Sequence, residues 1–88
     1  MLYILDLSTI LKEDQALECA SALTIEAIEA KNAMRGKRQK IRACEAKCKM
    51  LLQYCRTKGW IKPMAELKSS LDGLEQSLAE DSVSLWGI

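Results

Sequence analysis

An unbroken heptad runs from Ala16 to Cys55 through Ala20, Leu23, Ala27, Ala30, Met34, Lys37, Ile41, Cys44, Cys48 and Leu51. Lys37 is its one charged member. A stripe at this spacing commits one face of a helix to another helix. Its Ala and Cys positions let two backbones approach closely. Glycine and β-branched residues are sparse after Leu7, Phe is absent and Pro occurs once, which is the composition of a mostly helical chain. The expected fold class is therefore all-α. The length of 88 residues leaves room for a single domain, and an apolar content of 49% argues against disorder.

Residues Leu2 to Leu7 (LYILDL) form a short β-prone run, too brief for a sheet of its own, and are expected to pack as an apolar arm over residues 1–8. Asp6, Ser8 or Thr9 can cap the helix that follows, and Glu13 and Asp14 suit its first turn. The fold then turns on Gly36. A break there would give a compact three-helix bundle. Three features favour continuity instead. The heptad phase passes Gly36 without a slip, no Ser, Thr, Asp or Asn follows to cap a new helix, and Lys37, Arg38 and Lys40 would face a positive helix end. An internal Gly costs only about 1 kcal/mol relative to Ala. One long helix over 9–58 is thus expected, roughly 70 Å in length.

Lys58-Gly59 reads as a helix stop, residues 59–63 as a corner, and Pro63 as the opening of a second helix over 64–81. Met64, Leu67, Leu71, Leu74 and Leu78 stripe that helix, which should lie antiparallel on Ile41, Cys44, Cys48, Leu51 and Cys55. A short apolar tail, 82–88, follows. The expected architecture is a helical hairpin, with the bundle as its alternative.

Net charge is only +1, yet it is distributed unevenly. Residues 1–30 hold one Lys against six acids, residues 31–58 hold ten Lys/Arg against Glu45, and residues 59–88 hold two Lys against five acids. Lys31, Arg35, Arg38, Arg42, Lys49 and Arg56 recur at spacings of three, four and seven beside the seam, an arrangement suited to a nucleic-acid backbone. No helix-turn-helix, zinc finger or stacking platform accompanies them. The alternative for such a face is simple solvation, helped by the acidic flanks.

Four cysteines occur without a basic, apolar leader, and no apolar run is long enough to span a membrane, so a reducing, cytoplasmic setting is expected. Cys44 and Cys48 share a helical face, but zinc knuckles use turn-borne ligands at CxxC spacing and often His, which is absent. Cys44, Cys48 and Cys55 all sit on the seam, where Cys behaves as a small hydrophobe. No metal, cofactor or catalytic residue is expected, since neither a His nor a phosphate-binding loop exists.

These readings point to a non-enzymatic protein–protein interaction module. A C-terminal helix of residues 64–81 can cover only half of a helix as long as 9–58. Ala16, Ala20, Leu23, Ala27 and Ala30, flanked by Leu17, Ile25 and Ile28, would then await a second copy or another protein. Trp60 and Trp86 are candidate anchors in the same interface. Small interaction proteins of this kind include phage-type modulators or inhibitors of larger complexes. A nucleic-acid-binding accessory protein using the basic stripe is the alternative.

Overall fold

Among the residues described, the chain forms a short 3-10 turn, Leu7–Thr9, and three helices: α1 (Glu13–Lys31), α2 (Lys37–Lys58) and α3 (Ile61–Leu85). This is a computed structural model that describes residues 7–85, with side chains as far as Ala79. The all-α expectation holds. Residues 1–6 of the expected arm and Trp86–Ile88 of the expected tail lie outside the described residues, whereas residues 82–85 continue α3.

Of the expected caps, Asp6 lies outside the described residues and Ser8 and Thr9 sit in the preceding 3-10 turn; the N-cap position is Lys12, and the start of α1 is held by Gln15. Its side-chain Oε1 accepts from the backbone N–H groups of Leu11 (2.7 Å) and Lys12 (3.1 Å), the backward half of a capping box. Glu13 and Asp14 occupy the first turn, facing the positive dipole end as expected.

The long helix over 9–58 does not exist; α1 ends at Lys31 and α2 begins at Lys37. Asn32 closes α1, donating from both its backbone N–H and its Nδ2 to the Ile28 carbonyl (3.2 and 3.0 Å). Gly36 then adopts φ +62°, the left-handed conformation that reverses the chain. The longest extent of the molecule is 46 Å, far short of the roughly 70 Å of a continuous helix. Folding back places the alanine seam of α1 against its own chain. Burying that apolar surface, at about 25 cal/mol per Å², outweighs an uncapped α2 start and cations on its first turn. The unbroken phase has another cause: both halves face one core, so both carry the same seam.

Because Gly36 is left-handed, Gly36→Ala should destabilise the fold by about 1 kcal/mol or more rather than remove a helix-interior defect. A shift of the urea midpoint to lower concentration would register it; an unchanged or higher midpoint would mean that the turn is not needed.

The corner after α2 is shorter than the expected 59–63. Gly59, at φ +76°, and Trp60 make a Schellman ending: Trp60 N–H donates to the Cys55 carbonyl (3.0 Å) and Gly59 N–H to that of Arg56 (3.2 Å). The hydrophobic contact this motif usually carries is present, with the Trp60 ring edge-on to Tyr54 at 5.9 Å between centroids. α3 starts at Ile61, so Pro63 sits inside its first turn, where a missing N–H costs nothing, and its ring is buried.

All three helix pairs pack on one another. Cys44 Sγ donates to the Leu23 carbonyl (3.6 Å), Lys47 pairs with Glu26, and Tyr54 OH donates to the Ile10 carbonyl (2.8 Å), a register that makes α1 and α2 antiparallel. Ser21 donates to Glu66 (3.5 Å) and Thr24, one turn further on, reaches Ser70 (2.9 Å), so α1 and α3 run parallel. The core joins three seams: Ala16, Ala20, Leu23, Ala27 and Ala30 from α1, Ile41, Cys44, Cys48, Leu51 and Cys55 from α2, and Leu67, Leu71 and Leu74 from α3. Small α1 side chains draw that backbone inward, and the leucines of α3 fill the space between.

Candidate functional site

The expected docking stripe on α1 is interior. Ala16, Ala20, Leu23, Ala27 and Ala30 are all buried within the single chain, so the stripe that seemed to await a partner is covered by α2 and α3. The correction has a simple geometric cause. The hairpin left half of a long helix uncovered, whereas α3 has 25 residues, about 37 Å at 1.5 Å per residue, enough to accompany a 19-residue α1 along its length. Trp60 is half-buried and serves the Schellman corner; Trp86 lies outside the described residues. Ile25 and Ile28 do remain exposed on α1.

The three seam cysteines of α2 are buried and Cys19 on α1 is half-buried; all four are unpaired thiols. Burial pushes the Cys44 thiol up to about 12, helped by the neighbouring Cys48 and the Glu26 carboxylate. Burial likewise raises Cys48, where a hydrogen bond with Cys44 works in the opposite direction, and it raises Cys55 and Cys19. Among the described residues, no three His, Cys, Asp or Glu side chains converge as metal ligands would. Neutral thiols in a core act as apolar filler.

Two outcomes follow for the cysteines. Cys19 should react first with a thiol reagent in the native protein, and Cys44, Cys48 and Cys55 only on unfolding. A raised folded-state value also means that the unfolded chain loses its thiol protons first. Stability should thus be intact below about pH 9, the unfolded thiol value, and fall as pH rises from there toward about 12. Thermal melts across that range test the sign; a Tm that rises with pH would contradict it.

The basic residues divide. Lys31 is half-buried at the end of α1 and leans over α3, its Nζ 3.2 Å from where a Cβ on Gly73 would stand. Arg35 lies in the connection between α1 and α2. The break therefore removes these two from the expected single stripe. Arg38, Arg42, Lys49 and Arg56 remain, all exposed on α2. Their spacings of four, seven and seven place them along one outward ridge about 27 Å long. Lys49 lies 3.8 Å from Glu45, one turn away on the same helix. Lys47 points the other way, bonded to both carboxylate oxygens of Glu26 at 2.9 Å.

The start of α2 adds to this charge. Gly36 offers no side chain to cap it, and Lys37, Arg38 and Lys40 crowd its first turn. Unsatisfied N–H groups and cations there carry charge of the same sign. Sequence reasoning missed this because it took the same cations as a reason for continuity. It also missed the Thr24–Ser70–Glu66 contact between α1 and α3, and nothing in a linear heptad signals that pairing. Among the described residues, two shallow grooves border α1. One, of about 540 Å³, lies between α1 and α2 beside Glu29, Ala33, Lys40 and Ala43. The other, of about 440 Å³, lies between α1 and α3 around Ile28, Lys31 and Gln76, with Lys37 of α2 at its edge. No helix among the described residues is long and apolar enough to cross a membrane. No known protein family matches this chain, and neither curated proteins nor solved structures include a significant match to it.

Proposed function

We propose that the protein is a small, non-enzymatic binding module that holds a nucleic-acid backbone on the outer face of α2. One observation carries the reading: four exposed cations in line on a helix whose amino end is itself positive and uncapped. Cations at that end work against helix stability, and departures from local stability rules are most readily understood where a surface serves a ligand. A phosphate chain would bring negative charge to that end, and guanidinium groups suit it geometrically. Four unpaired thiols accord with a reducing compartment such as the cytoplasm.

A second reading keeps the protein–protein module, a modulator or inhibitor of a larger complex, and moves its contact from the alanine seam to the exposed Ile25 and Ile28 of α1. Salt separates the two. Phosphate contacts predict a steep linear fall of log affinity with log salt, and an apolar contact a shallow one. Lys40→Glu adds a second discriminator. It should stabilise the fold by about 0.3–1 kcal/mol through the helix dipole and at the same time weaken nucleic-acid binding. Stabilisation with unchanged binding would take the amino end of α2, though not the ridge, out of the contact.

A further inference from the structure

We infer that the nucleic acid suited to this face is double-stranded B-form DNA, bound through its backbone without regard to sequence; this rests on the proposed function of the α2 ridge. Three observations favour it over a single strand. The ridge residues Arg38, Arg42, Lys49 and Arg56 are exposed on the outer side of α2, and none of them lines either of the two grooves described above, which take only Lys37, Lys40, Ala43 and Lys47 from α2. Single strands are held in concave channels whose aromatic side chains stack the bases. The aromatic residues among those described, Tyr54 and Trp60, are engaged with each other at the corner, and Tyr54 is further tied to the Ile10 carbonyl. A row of cations at regular helical spacing also suits a stiff polyanion, whose phosphates already follow a regular path.

The choice of B-form follows from shape. B-form duplex presents its phosphate rows on either side of an open major groove about 12 Å wide, along which the ridge of a helix about 10–12 Å across can lie against the backbone, whereas the A-form major groove is deep and narrow. Indifference to sequence follows from what stands between the cations. Ala46 offers no hydrogen-bonding side chain, and Gln53 alone, among the exposed ridge positions between Arg42 and Arg56, carries a neutral group able to read a base edge. Phosphate contacts position a protein but carry no sequence information.

The test measures affinity for a DNA duplex of roughly 16 bp, about twice what the ridge covers at 3.4 Å per base pair. The same-length single strand, an RNA duplex and polyglutamate are compared over a range of salt. The expected result is a DNA duplex preferred by roughly tenfold or more, little change on scrambling its sequence, and a log–log salt slope near −3.6 for four phosphate contacts. The double variant Arg42→Gln/Lys49→Gln should halve that slope to about −1.8, while Lys68→Gln, on an exposed position of α3, should leave it unchanged. Circular dichroism confirms that each variant is folded. Equal or tighter binding of single strands or of RNA duplex overturns the inference but leaves the proposed function standing. Salt-insensitive binding, or none to any nucleic acid, overturns both.

Discussion

Ala27→Arg should unfold the protein, costing about 4 kcal/mol or more. Ala27 is 2% exposed and stands where α1 meets the other two helices. A guanidinium there must either force the helices apart or remain buried without a partner, and each alternative is expensive. Chemical denaturation or loss of helical circular dichroism would report it. If Ala27→Arg instead keeps wild-type stability and only abolishes association, the seam is a docking surface and the bundle described here is wrong.

Leu74→Ala should be nearly as damaging. Leu74 is fully buried and closes the core from α3, so truncation removes its transfer energy and leaves a cavity, at about 2–5 kcal/mol. Leu71 is slightly exposed and has more freedom to relax, so Leu71→Ala should fall toward the lower end of that range. Urea unfolding of the two variants checks the order. Losses below about half a kcal/mol at both positions would take the α3 leucine stripe out of the core.

The seam positions were readable from spacing alone, because period and burial share one cause: a helix buries the face that its apolar residues define. Ile41, Cys44, Leu67 and Leu74 stand where the heptads put them. The Gly59 stop was readable too, since a basic last turn followed by Gly is a local signal. Gly36 was not. Its neighbours carry no capping side chain, and the free energy that bends the chain there comes from α3, some forty residues later. A long-range gain decided a local question. The same error misplaced the functional reading: an imagined uncovered seam made Ala20 and Ala27 look like contact residues. The outward direction of Arg38, Arg42, Lys49 and Arg56 on α2 was readable, because direction on a single helix follows from spacing once its ends are known.

An in-phase seam on both sides of Gly36 has a consequence for exchange between chains. Were the five residues 32–36 to straighten, α1 and α2 would join in one helix with its heptad in phase and interrupted only by Lys37, and α1 could occupy the same site on a second molecule with every seam contact repeated. Closed monomer and swapped dimer would then differ only in the hinge, the condition under which domain swapping costs least. Left-handed Gly36 and the Asn32 cap thus separate two states that the heptad alone treats as equivalent.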